Sequence, residues 1–328
     1  MGNSNDISKI KIILTVALIS ILLAGCSGKK HEISYSYMTA EECAKKLGSL
    51  DKYYSEISQK SLDFMTQKKD ATVEEYRKYS MDQAQDFTDE EKALLDDVFA
   101  NINKKMDDAG LEFPESLSIT VAKTTMNEAL GAAGYTHDTT VFLCGSFIDD
   151  FIDVEDRAKL IKTMTHEIFH CMTRKYPQFR KDMYSIINFT VNDEEFEIPN
   201  HVAEILIANP DVRAHDSYAT FTINGEKKDC YLVFLSKDVF EKPGDTFFDN
   251  MYTGLVNIKD GTLYSYEEAE DFDKVMGENT YYNEDPEECL ATNFSYAVTY
   301  GMEGLTGEGY PTPEIIENIT EYLKKKGL

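Results

Sequence analysis

The sequence predicts an α+β fold, and three observations carry that prediction. Helical periodicity fills the first third, alternating β-branched stretches follow, and a strongly periodic helix then leads into mixed elements. Residues 39–67 carry Cys43, Leu47, Leu50, Tyr54, Ile57, Leu62 and Met65 at helical spacing. A second helix is expected over 73–83. A third starts at Thr88, where Thr88 and Glu91 have the spacing of a capping box, and ends near Gly110. Residues 39–110 therefore read as a helical segment ahead of a domain spanning 111–328. Leu117 to Lys123 alternates and is β-branched, which is the pattern of a strand, and 139–147 reads as another. Between them Gly131-Ala132-Ala133-Gly134-Tyr135 reads as a turn. Residues 155–175 form a periodic helix. Short strands are expected at 184–191, 218–223, 230–234 and 254–258, with a short helix at 201–208. Together they make a β-rich insertion spanning roughly 180–280. Helix returns at 285–300 and at 313–326.

A chain of 328 residues is long enough to bury a substantial core. Its 33 Lys+Arg against 59 Asp+Glu give a net charge of −26. Such a surface repels phosphate backbones, so nucleic acid is excluded as a direct partner. The acidic run Asp149, Asp150, Asp153, Glu155 and Asp156 lacks the spacing and central glycine of a calcium loop and reads as solvated surface.

The N-terminus is a targeting segment. Lys9 and Lys11 precede an apolar run from Ile12 to Ala24, too short to span a membrane comfortably, which ends in Leu23-Ala24-Gly25-Cys26. This resembles the lipobox of bacterial lipoproteins. The resemblance implies that residues 1–25 are a signal peptide, that Cys26 carries lipid, and that 26–38 tether the body to a membrane of the cell envelope, outside the cytoplasm. Export permits disulfides, yet Cys43, Cys144, Cys171, Cys230 and Cys289 cannot all pair within one chain.

The chemistry lies in His166-Glu167-Ile168-Phe169-His170. Histidines four apart on a helix project from one face and chelate a single metal ion, zinc above all. The intervening glutamate reaches a water activated by that metal and acts as general base. Ile161, Met164, Ile168 and Cys171 cluster on one stripe of the helix, with the histidines opposite and Glu167 at the edge.

A catalytic centre needs a third ligand. Metzincins place a histidine six residues after the second, with a glycine between; Thr173 and Tyr176 hold those positions here and exclude that class. The segment Asp285-Pro286-Glu287-Glu288-Cys289-Leu290-Ala291-Thr292 resembles the glutamate helix of gluzincins, the thermolysin-like branch of zincin metallopeptidases. That resemblance implies Glu288 as third ligand, with Ala291 matching the small residue that follows it. Thr292 stands where gluzincins usually have an aspartate that supports a ligand histidine. Asp285 and Glu288 also have capping-box spacing, Glu287 fits if the register shifts by one, and His201, Glu204 and His215 are rival ligands. Tyr310 and His201 are candidates to stabilise the transition state, and the strand around Val141–Cys144 is a candidate substrate-binding edge. A disulfide between Cys171 and Cys289 would be open if both helices met at the metal.

The expected function is hydrolysis of peptide bonds in a peptide or protein substrate, with Zn2+ as cofactor. The alternative is a catalytically degenerate or non-enzymatic surface lipoprotein that binds a ligand or partner protein.

Overall fold

The computed structural model describes His31 and residues 33–326; the leader and Cys26 lie outside the described residues. Strand β1 (Ile33–Tyr37) comes first, although its residues were expected in the tether. Its sequence, Ile-Ser-Tyr-Ser-Tyr, alternates with period two, so Ile33 is buried and Tyr35 stacks on Phe99 while the serines face solvent. The helix expected over 39–67 is divided into α1 (Ala40–Gly48), α2 (Asp51–Glu56) and α3 (Gln59–Thr66). Ile57 turns extended, and Ser58 then caps a fresh helix by accepting from Ser61 N. α4 (Val73–Met81), β2 (Ala84–Gln85) and α5 (Asp89–Asp108) follow, with capping boxes at Thr39, Thr72 and Thr88.

Next come β3 (Leu117–Thr124), β4 (Gly134–His137), β5 (Thr140–Cys144) and α6 (Gly145–Asp149). They complete a sheet of order β1-β3-β5-β4, with β2 antiparallel beside β3. β1, β3 and β5 run parallel, and β4 closes the edge antiparallel to β5. Two expectations change here. The end of the glycine-rich turn is itself a strand, and it, rather than Val141–Cys144, forms the edge. β5 is fully buried, as a strand with neighbours on both sides must be.

α7 (Ala158–Lys175) carries the histidine motif. α8 (Pro177–Ile186) takes the first three residues of the strand expected at 184–191, because Pro177 sits at the first helical position and starts a helix that runs into them. Only β6 (Thr190–Val191) of that strand remains. After α9 (Asn200–Ala203), the strands β7 (Ser217–Ile223), β8 (Glu226–Ser236), β9 (Met251–Asn257) and β10 (Leu263–Ser265) join β6 in an antiparallel sheet, β10-β9-β8-β7-β6. α10 (Phe272–Met276), α11 (Pro286–Tyr300) and α12 (Pro313–Lys326) end the chain. The architecture is mixed α/β with two sheets, consistent with the α+β class.

The main core joins the first sheet to α5, α7, α8, α11 and α12. Packed along α7, α11 is buried on nearly every face, which suits its run of Leu290, Ala291, Phe294, Ala297 and Val298. Cys43, Cys144, Cys171, Cys230 and Cys289 are all buried free thiols, so Cys171 and Cys289 are not bridged. Among the described residues, no helix is long and apolar enough to cross a membrane.

One ion pair sits inside this core. Lys123 Nζ lies 2.8 Å from both carboxylate oxygens of Glu91, which also accepts from Thr88 N at 2.6 Å. Removing one partner strands a buried charge, whereas losing only the cap removes one hydrogen bond. Urea unfolding should show Glu91→Ala less stable by about 3–5 kcal/mol. Thr88→Ala should cost only about 1 kcal/mol.

Candidate metal centre

Two helices build the site. α7 brings His166 and His170 one turn apart on one face, their ring centroids 4.7 Å from each other. α11 starts opposite them because Asp285 caps it, accepting from Glu287 N at 2.8 Å, and Pro286 takes the first helical position. Its first turn therefore points Glu287 and Glu288 at the histidines. Glu288 does not complete the capping box; its carboxylate turns inward instead.

Glu288 Oε2 lies 3.1 Å from His166 Nε2 and 3.6 Å from His170 Nε2. The three ligand atoms all fall within 4.8 Å of one another. Tetrahedral coordination with bonds near 2.0–2.1 Å places ligand atoms roughly 3.3 Å apart, so the set fits a zinc-sized ion. His170 Nε2 is buried and has no hydrogen-bond partner, so it is free to serve as a ligand.

The opposite ring nitrogens are occupied from α11. Glu287 Oε1 sits 3.0 Å from His170 Nδ1, and Glu287 also accepts from Tyr184 at 2.6 Å and from Thr173. Thr292 Oγ1 lies 3.5 Å from His166 Nδ1, in the place where the gluzincin resemblance calls for an aspartate. Both rings thus offer Nε2 inward and are oriented through Nδ1. Glu287, considered from sequence as a substitute ligand, orients His170 instead.

Glu167 reaches toward the sheet edge. It accepts from Thr136 Oγ1 at 2.7 Å, and a Cβ on Gly134 would stand 3.3 Å from its other oxygen. A glycine at 134 therefore lets this carboxylate lie against β4. Burial, joined by the charge of Asp211, pushes Glu167 up to about 8.

Asp211 and Asn209 were not foreseen. Asp211 forms a second candidate metal group with Glu167 and His170, and Asn209 Nδ2 donates to Glu288 Oε1 at 2.8 Å. They sit on an irregular loop between α9 and β7, where no periodicity marks them. Tyr282 was also missed; its ring centroid is 6.3 Å from that of His166, and it is 40% exposed. By contrast, no described contact links Tyr310 or His201 to the three candidate ligands. Tyr310 stacks on Tyr296, and His201 is exposed on α9. Glu204 and His215 likewise stand outside the candidate metal groups.

A cavity of about 320 Å³ adjoins the site along β4, lined by Leu130, Gly134, Phe234, Phe247, Met251 and Tyr282 among others. Its walls are mostly apolar. Compared with known proteins, the chain matches no family model, no curated protein and no solved structure.

The electrostatics favour a cation. Burial pushes Glu284 up to about 9 and Asp285 up to about 8, each helped by neighbouring carboxylates. Burial opposes charge on Glu288 too, yet its contacts with His166 and His170 hold it below the ordinary carboxylate range. Burial also opposes charge on His170, but Asp211, Glu287 and Glu288 outweigh it and raise its pKa. Groups with raised pKa bind more protons folded than unfolded, so they stabilise the fold at low pH and lose that contribution as pH rises. The melting temperature of the metal-free chain should therefore fall between about pH 7 and pH 9, above the range in which His137, His166 and His215, whose pKa values burial lowers, act in the opposite sense, and a bound divalent cation should flatten that slope. A metal-free melting temperature that rises between about pH 7 and pH 9 would contradict the charge balance.

Proposed function

We propose that the chain is a zinc-dependent peptidase with a zincin-like catalytic domain of the gluzincin kind, lipid-anchored through Cys26 and acting outside the cytoplasm. The observation that carries this reading is the convergence of His166 Nε2, His170 Nε2 and the Glu288 carboxylate, with Glu167 beside them against the edge strand β4.

His166, His170 and Glu288 would hold the ion. Bound there, zinc supplies Lewis acidity that activates water and polarises a carbonyl group. Glu167 takes a proton from the attacking water and returns it to the departing nitrogen. Glu287 and Thr292 keep the imidazoles turned with Nε2 inward. Tyr282, on the rim beside His166, takes the stabilising role expected of Tyr310 or His201. The apolar cavity along β4 suits a bulky apolar side chain next to the scissile bond.

Metal analysis of the purified chain should find about one zinc per molecule, lost in His166→Ala. Glu167→Gln should retain the metal while cleavage of an apolar peptide falls by at least about 100-fold. Zinc binding with unimpaired cleavage in that variant would remove Glu167 from the mechanism, and absence of zinc from the parent chain would end the peptidase reading. Glu287→Gln should weaken zinc binding by about 10–100-fold, as measured by competition with a chromogenic chelator. Unchanged affinity would assign Glu287 to packing alone.

A further inference from the structure

We propose that residues 208–214 form a strap lying where an extended polypeptide substrate binds, and that such a substrate must displace it from β4. The identity of the displacing ligand rests on the peptidase reading; the position of the strap does not.

β4 is an edge strand, with Tyr135 and His137 paired to Phe142 and Thr140 of β5. An edge binds an extended chain through its outward main-chain groups. One of these, Thr136 N, is already taken, since it donates to Asp211 Oδ1 at 2.7 Å. Two residues earlier the same strap occupies the metal centre, with Asn209 Nδ2 on Glu288 at 2.8 Å. The strap thus holds the outward Thr136 N that an added strand would use, while Asn209 ties it to the outer oxygen of Glu288.

Its attachments suit a movable element. The entry is fixed by Ile207 N donating to Phe234 O at 2.8 Å and Ala208 N to Ser61 Oγ at 2.9 Å. At the exit His215 O accepts from Phe196 N at 2.8 Å. Between these points the strap is a self-contained turn, with Asp211 N on Asn209 Oδ1 and Val212 N on Asn209 O. Arg174 acts as a latch, its Nη2 donating to Asp211 O at 2.8 Å and Pro210 O at 3.3 Å. The latch is incomplete: Arg174 Nη1 is buried without a partner. Cavities of about 330, 170, 200 and 320 Å³ flank the strap, so it has room to shift without crossing a packed core.

The substrate class follows. A dipeptide reaching only the metal centre gains nothing at Thr136, whereas a longer chain adding to β4 replaces the bond that Asp211 surrenders. The site should therefore favour extended polypeptides over very short peptides.

The chain contains no tryptophan, so the fluorescence of a Trp placed in a peptide reports binding directly. The full-length chain, stripped of metal so that nothing is cleaved, is titrated with an apolar octapeptide containing one Trp and with a Trp-containing dipeptide. Asp211→Ala and Asn209→Ala should each bind the octapeptide about fivefold more tightly than the parent, the worth of one hydrogen bond no longer displaced. Asp211→Asn, which keeps an accepting Oδ1, should stay within about twofold of the parent. The dipeptide should not distinguish the variants. Equal or weaker octapeptide binding by both alanine variants would overturn the proposal and make the strap part of the substrate site. A gain in affinity with no zinc-dependent cleavage by the metal-loaded parent would uphold the strap and reject the peptidase reading.

Discussion

The contact between the Glu287 carboxylate and His170 Nδ1 is the constraint around which the rest is arranged. A buried carboxylate must be satisfied by donors, and this one receives Tyr184 from α8 and Thr173 from α7 as well. Those bonds join three helices at one point and fix how α7 lies along α11. With that alignment set, the next residue of α11 is aimed at the gap between the two histidine rings. A shift of either helix by one residue would break the Glu287 cluster and misdirect Glu288 together. The orientation of the inward-facing imidazole nitrogens and the cohesion of the helical core are thus one interaction seen from two sides.

How much of this was legible in the sequence depended on how local each signal is. The capping boxes at Thr88 and the start of α12 at Pro313 are written in adjacent residues, and they are found where expected. The pair His166 and His170 is also local, because helix geometry alone brings residues four apart onto one face. β1 was missed despite its alternation, since reading residues 1–25 as a signal peptide made the residues after them read as tether. The end of α8 was read as the start of a strand because its apolar residues do not reveal their period over so short a stretch, and Pro177 was the signal overlooked.

The missed site residues share a different cause. Asn209 and Asp211 act through contacts with residues distant in sequence, from a loop without periodicity. Only the closed fold brings Asp211 to Thr136 N and Asn209 to Glu288. Tyr282, which the fold brings beside His166, could not be told from nineteen other tyrosines by pattern. Gly134 had a visible signal that was read too narrowly. The glycine was assigned to a turn, whereas the fold uses its missing side chain to admit the Glu167 carboxylate against an edge strand.

The five buried thiols have a consequence for the lifetime of the protein. Burial pushes the pKa of Cys43, Cys230 and Cys289 up to about 12 and raises that of Cys171 further, so these four sites offer an oxidant almost no thiolate while the chain is folded. If the chain opens in an oxidising environment, those sulfurs become reactive together, and any pair they form is foreign to the native fold. Unfolding is then a one-way event. Outside a reducing environment, the persistence of this protein is governed by how seldom its core opens rather than by the equilibrium between its open and closed states.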